Sequence, residues 1–240
     1  MIRVGVVAAL AAEARTLGSA VRRPDGLSSL SDGTLLAVSG MGSILASAAA
    51  RRLVDAGALA LLSFGFAGGL DPTLSAGSVV LPTEIISGDG ARFLTAEEWR
   101  EQLRLAIAKQ RPVTTGKLLS SRQPIGSVAD KASAFRETGA AAVDMESLAV
   151  AEVAAAHRVP FVAVRVIVDT AADVLPRAIM AASRGGQLNI RRFIGGLAAA
   201  PLELIALISL SQRYRLATRS LSAVARAGLL TPRDAGARVA

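Results

Sequence analysis

Hydrophobic positions fall in two rhythms along the chain. Ile2 to Ala8 is an almost uninterrupted apolar run, and TLLAVSG (34–40), ALALLSFGF (58–66), VVLPTEII (79–86), KLLSS (117–121) and PFVAVRVIVD (160–169) share that character. Runs of this kind predict strands buried on both faces. Between them AAEARTLGSAV (11–21), SILASAAARRLVDAG (43–57), TAEEWREQLRLAIAKQ (95–110), VADKASAFRETG (128–139) and VAEVAAAHR (150–158) carry helical spacing, the second closed by Gly57. AAAVDMESLAV (140–150) reads as a strand leading into the last of these helices, yet it holds two acids in an otherwise apolar stretch. The alternation predicts an α/β domain over residues 1–185, three layers (α/β/α) around a central mixed sheet. From residue 186 to 230 the pattern changes to a basic, apolar helical extension, with Pro201 placed to open a long helix. Residues 231–240 read as a frayed tail.

Composition narrows the chemistry. The 240 residues include no cysteine and a single histidine, His157, which removes thiolate nucleophiles, disulfides and multi-histidine metal sites together. No metal and no cofactor is expected, so any catalysis rests on carboxylates, hydroxyls and arginines. His157 ends a helical run, and a role beside the helix C-terminus fits it better than catalysis. The net charge of +8 is concentrated late: from residue 186 on, eight arginines face only Glu203 and Asp234, roughly +6 of the total. With 3% aromatic residues the chain lacks stacking platforms, and nucleic acid is not an expected partner. The apolar stretch from Leu197 to Leu210 is shorter than the ~20 residues a bilayer span needs, although a helix running on from it could lie along a membrane surface. MIRVGVVAAL carries no cleavage pattern of a signal peptide, so the expected location is cytoplasmic, peripheral at the inner membrane face if the extension docks there.

Ligands of open α/β sheets bind at strand carboxyl ends, which isolates four candidates. Glu13 follows the first strand. SGMGS (39–43) follows the second, with N–H groups near Gly42 opening the next helix as a site for an anion or hydroxyl. FGFAGGL (64–70) follows the third, its glycines making either a tight turn or a close approach to a ligand. Asp169 ends the last strong strand, either capping the helix after it or serving as a desolvated acid that holds its proton near neutrality. A dinucleotide fingerprint is not completed, because position 45 is leucine and no acid closes the next strand.

In combination these segments resemble the nucleoside phosphorylase and nucleosidase superfamily. AAAVDMESLAVAEVAAAHRVPFVAVRVIVDTAAD is similar to its Met-Glu pair, helix, Val-Pro-Phe strand and catalytic Asp. VGVVAALAAEA, SGMGSILASAAA and SFGFAGGLDPTLSAGSVVLP resemble segments of methylthioadenosine/adenosylhomocysteine nucleosidases, in the same order. AAVDMES, DTAADVLPRAIM and the basic tail most resemble the hopanoid-associated phosphorylases. The resemblance implies a purine nucleoside phosphorylase-like fold and release of adenine from a 5′-substituted adenosine, adenosylhopane in hopanoid side-chain biosynthesis by that subfamily, or methylthioadenosine and adenosylhomocysteine by the other. It implies that Asp169 protonates purine N7, Glu146 holds the ribose hydroxyls and Glu13 activates water. Met145, Gly42, Gly65, Phe66, Ala67, Ile125 and Val168 would line the substrate.

Departures from the family pattern bear on the nucleophile. Ser63 and Phe66 stand where hexameric phosphorylases carry phosphate-binding arginine and serine, and Val168 replaces a common serine. Inorganic phosphate therefore stays open as a co-substrate: the subfamily points to phosphorolysis, Glu13 to hydrolysis. A homodimer is implied, and the extension is expected to form an apolar groove for a 5′-lipid, to dock on a membrane, or to pack on its own domain. A nucleoside-binding module without turnover and a membrane-associated interaction protein are the non-enzymatic alternatives.

Overall fold

The computed structural model describes residues 2–175 and 203–228, with side chains of the last segment described from residue 211. Ten strands form one mixed sheet: β1 (Val4–Ala8), β2 (Ala20–Arg22), β3 (Ser28–Leu30), β4 (Leu35–Val38), β5 (Ala60–Gly69), β6 (Val79–Ser87), β7 (Arg92–Leu94), β8 (Val113–Ser120), β9 (Ala140–Asp144) and β10 (Phe161–Ile167). The helices are α1 (Ala11–Thr16), α2 (Ser43–Asp55), α3 (Glu97–Ala108), α4 (Val128–Thr138), α5 (Ser147–Ala156) and α6 (Glu203–Arg226).

Strand β5 organises the sheet because it is long enough to serve three neighbours. Its first half pairs in parallel with β1 and, from Leu61 to Ala67, with β10; its last residues, Gly68 and Gly69, pair antiparallel with β9. Since β10 pairs with β6, β6 with β8 and β8 with β9, the five strands β5, β10, β6, β8 and β9 close into a ring. Strands β1, β4, β3 and β2 extend the sheet outward from β5. The expected mixed sheet is present, and the ring is the part that alternation alone did not reveal.

Apolar continuity in the strands follows from their two covered faces. Leu61 and Ala163 pack with Ala46, Ala50 and Leu53 of α2 and Val150 and Val153 of α5. Leu62, Val162 and Val164 pack with Trp99, Leu103 and Ile107 of α3 and with Ala217, Leu221 and Val224 of α6. The described side chains of α6 therefore pack on the domain itself, and no described helix is long and apolar enough to cross a membrane. The apolar stretch before it and the tail fall mostly outside the residues whose side chains are described.

Three local expectations are corrected. The hairpin β2–β3 and the short β7 lie in polar segments with no apolar alternation to announce them. FGFAGGL is the end of β5 and not a turn. Strand β8 begins at Val113, because pairing with β6 recruits the polar VTTG ahead of KLLSS. His157 does end α5, its N–H bonded to the carbonyl of Val153.

Inside the ring a single guanidinium ties three strands and a helix. Arg165 of β10, 2% exposed, donates to Asp144 Oδ2 at the end of β9 from Nε (2.9 Å) and from one terminal nitrogen (2.6 Å). The same nitrogen reaches Ser63 Oγ of β5 (2.6 Å) and Ser147 Oγ of α5 (2.8 Å). Asp144 Oδ2 also accepts the Ser147 N–H at the start of α5. Asp144, the first of the two acids in AAAVDMESLAV, thus belongs to a buried ion pair with a partner 21 residues on. Removing one member strands the other charge, so Asp144→Ala is expected to cost about 3–5 kcal/mol in urea unfolding, while Asp144→Asn combined with Arg165→Met recovers most of the loss.

Candidate active site

Two carboxylates, Glu13 and Asp169, press on the glycine-rich end of β5, and a third, Glu146, lies within electrostatic reach of Glu13. Glu13, carried just beyond β1 by the single-turn start of α1, folds back under that strand end, 3% exposed. Its Oε2 accepts the Leu10 N–H (2.7 Å) and its Oε1 the Phe66 N–H (2.8 Å). A Cβ on Gly65 would collide with this carboxyl group, so glycine is needed there for space rather than for an unusual φ. Burial pushes the Glu13 carboxyl above its ordinary range, opposed by the Phe66 N–H and by the charge of Arg165.

Glu146 stands at the junction of β9 and α5. Its Oε1 accepts the Gly42 N–H at 2.7 Å and its Oε2 the Met145 N–H at 3.3 Å. Gly42 has φ +97°, in the left-handed region, which is what aims its N–H at this carboxylate. The SGMGS turn is thus engaged by a resident acid rather than left open for an anion, a correction to the sequence reading. Burial, together with the charge of Asp144 and against that of Arg165, raises the Glu146 carboxyl to about 7.

Asp169 follows β10 and is 7% exposed. Its Oδ2 receives a 2.5 Å bond from Nζ of Lys131, a residue of α4 with no exposed surface. The same ammonium donates to the carbonyls of Thr170 (2.7 Å) and Asp173 (3.0 Å), using all three of its protons. A Cβ on Gly68 would stand 3.1 Å from Asp169 Oδ2, and the Gly69 N–H bonds the Asp169 carbonyl at 2.7 Å. Burial raises the Asp169 carboxyl and outweighs the lowering by Lys131. Gly65 and Gly68 therefore let two acids press against one strand, which settles the meaning of FGFAGGL as close approach.

The remaining predicted positions gather around these acids. Phe66 neighbours Glu13 through its own N–H, and the Ala67 carbonyl accepts from Val168, next to Asp169. Ile125 belongs to the loop that meets the Asp169 segment where Leu175 N–H bonds the Gly126 carbonyl (2.9 Å). Met145 adjoins Glu146. Two cavities of about 200 and 360 Å³ elsewhere on the described surface, one along α5 and β7 and one beside Arg111 and Arg219, contain none of the three carboxylates.

Four contributors escaped the sequence reading: Lys131, Arg165, Tyr214 and Arg213. Lys131 had a faint signal, being one of three lysines in a chain that otherwise uses arginine. A compact ammonium fits three converging acceptors where a planar guanidinium would not. Tyr214 of α6 sets its ring 5.1 Å from that of Phe66, and burial followed by the charge of Glu13 raises its hydroxyl. Arg213 pairs with Asp173 Oδ1 at 2.9 Å, so α6 borders the site.

Known structures share this architecture. The 5′-methylthioadenosine/S-adenosylhomocysteine nucleosidase of Neisseria meningitidis, solved with methylthio-immucillin-A, superposes with a TM-score of 0.69 at 23% identity, covering 95% of this chain and 99% of that one. The nucleosidase of the same description from Campylobacter jejuni gives 0.68 at 18% identity over 95% and 99%. Futalosine hydrolase of Helicobacter pylori gives 0.67 at 16% identity over 94% and 97%. At such identities the likeness concerns the fold. No curated protein sequence matches the chain significantly. A family model described as the phosphorylase superfamily matches residues 28–194, and with most of the chain inside that match the protein belongs to the phosphorylase superfamily.

Proposed function

We propose that this protein cleaves the N-glycosidic bond of a 5′-substituted adenosine and releases adenine. The observation that carries the proposal is a trio of buried carboxylates, Glu13 against Gly65 and Asp169 against Gly68 at the end of β5, with Glu146 at the end of β9 close enough to Glu13 to feel its charge. The nucleosidase structures that share the fold include one solved with 5′-methylthioadenosine in its active site, a ligand of the class proposed here. Breaking the bond places positive charge on the ribose and negative charge on the departing purine, and the three acids divide that task. Asp169, its carboxyl raised by burial, gives a proton to N7 so that the base leaves neutral. Glu146, positioned by the Gly42 and Met145 N–H groups, accepts hydrogen bonds from the ribose 2′ and 3′ hydroxyls and faces the developing cation. Glu13 accepts a proton from the attacking nucleophile.

For that nucleophile we favour water. Among the described residues the guanidinium whose charge acts on both Glu13 and Glu146 is Arg165, whose bonds go to Asp144, Ser63 and Ser147, and the Gly42 N–H is taken by Glu146. A phosphate dianion would meet acids on the described side of the pocket. Phosphorolysis remains the second reading, motivated by the resemblance to hopanoid-associated phosphorylases.

The 5′ substituent is proposed to run toward α6, where the Tyr214 ring packs at a tilt against Phe66 and Arg213 pairs with Asp173. Adenosylhopane is the substrate that a lipid-accepting wall would suit; methylthioadenosine and adenosylhomocysteine are the smaller alternatives. A homodimer and a membrane-surface contact through the extension are further proposals. Because Ala217, Leu221 and Val224 belong to the core, deleting the extension would unfold the domain. Point substitutions test its role cleanly.

Asp169→Asn should lower kcat for adenine release from methylthioadenosine about 10²–10⁴-fold with an unchanged circular dichroism spectrum, and wild-type turnover should be the same with and without phosphate. A variant as fast as wild type refutes the acid role, and turnover only with phosphate assigns phosphorolysis. KM should rise as pH falls through about 7, where Glu146 takes up a proton and loses its grip on the ribose hydroxyls, whereas a KM flat from pH 5 to 8 counts against that grip. Tyr214→Ala should lower kcat/KM for a 5′-lipid adenosine more than for methylthioadenosine; equal losses remove α6 from substrate selection.

A further inference from the structure

Lys131 is the most completely buried cation near the site, and nothing in the sequence motifs assigned it a task. It reaches in from α4 to Oδ2 of Asp169, the carboxyl oxygen that also lies nearest Gly68 of β5. Its three protons are committed to Asp169 Oδ2 and to the carbonyls of Thr170 and Asp173. Among the described residues the other charge acting on Asp169 is Asp173, whose Oδ2 accepts from Thr170 and whose Oδ1 pairs with Arg213 of α6. Asp173 is paired with Arg213 but still raises the Asp169 carboxyl, and among the described residues Lys131 is the cation in direct contact with Asp169.

We propose that Lys131 is a positioning residue of the glycosidic cleavage: it fixes Oδ2 so that Oδ1 is presented to the purine, and it stabilises the carboxylate created when Asp169 gives up its proton. The inference rests on the adenosine-cleaving reading of this site. In the step itself the C1′–N9 bond breaks and its electron pair passes into the purine. N7 takes the proton from Asp169, and the resulting carboxylate faces the Lys131 ammonium. Solvent returns a proton to Asp169 after adenine departs. Without the cation the same carboxylate forms in a dry, apolar setting, so Asp169 becomes a poorer acid. A fully buried ammonium is a costly anchor for a loop that backbone bonds could hold, and its contact with the one acid aimed at the base explains its presence.

The chain contains no native cysteine, which makes the test direct. Lys131→Cys is the sole thiol and can be alkylated in denaturant and refolded, either with 2-bromoethylamine, which rebuilds an ammonium side chain, or with iodoacetamide, which leaves a neutral one. Adenine release from methylthioadenosine is then followed across pH. The expected result is a kcat about tenfold or more below wild type for the thiol and the neutral adduct, with KM little changed. The alkaline limb of kcat, where Asp169 loses its proton, should move to higher pH in both. The aminoethylated protein should recover rate and limb together. Recovery with the neutral adduct, or an alkaline limb that stays in place, overturns the proposal.

A second measurement needs neither refolding nor turnover. In wild-type protein labelled with [15N]lysine only three side-chain ammonium signals arise, and that of Lys131 should shift as Asp169 ionises, a step absent in Asp169→Asn. A Lys131 signal blind to that titration overturns the inference. Should the wild type release no adenine from any nucleoside, the functional reading fails while the lysine titration still decides whether Lys131 answers to the charge on Asp169.

Discussion

The ring of strands closes around a buried guanidinium. Arg165 can occupy the interior only because Asp144 meets it with a carboxylate and Ser63 and Ser147 complete its bonds. A pair of this kind adds little stability over a well-packed apolar core, but it tolerates few arrangements, since each partner alone would be an unpaired charge out of water. It therefore fixes where β9 ends relative to β5 and β10. Every acid of the site hangs from one of those ends or from a segment bonded to them: Glu146 two residues past Asp144, Asp169 four past Arg165, and Glu13 on the Phe66 N–H of β5.

That frame sets the electrostatics. Glu13, Glu146 and Asp169 are all buried and all have their carboxyl groups raised, yet each meets a different counterweight. Glu13 has backbone N–H groups and the distant charge of Arg165; Glu146 has the Gly42 N–H set against its neighbour Asp144; Asp169 has an ammonium in contact. In the proposed reaction, these different surroundings divide three chemically similar groups into an acceptor for the nucleophile, a grip on the sugar and an acid for the base. The arrangement gains from the small size of Gly65 and Gly68, which lets carboxyl groups lie against a strand with no side chain between.

Much of this was legible in the chain because the relevant signals are local. Continuous apolar runs announced the doubly covered strands, and FGFAGGL, Glu146 and Asp169 stood out where such runs end. What escaped was carried by pairing between distant segments. The ring depends on β5 sharing its length between β10 and β9, which no periodicity records. Asp144 looked like a junction residue because its partner lies 21 positions away. Lys131 carries no local signal within VADKASAFRETG, and only the fold brings it upon Asp169, 38 positions on. The extension read equally as a lipid groove, a membrane contact or a helix packed on its own domain, and its described portion follows the last, supplying Ala217, Leu221 and Val224 to the core and setting Tyr214 against Phe66.

At the centre of the account is one spatial claim, that a 5′-substituted adenosine lies with its base at Asp169 and its ribose at Glu146. A crystal structure of the Asp169→Asn protein soaked with methylthioadenosine tests it most directly. The account predicts electron density for intact nucleoside with N7 within hydrogen-bond reach of Asn at position 169, both ribose hydroxyls on Glu146 and the 5′ group directed toward Tyr214. A nucleoside bound elsewhere, or seated with its ribose away from Glu146, would contradict it.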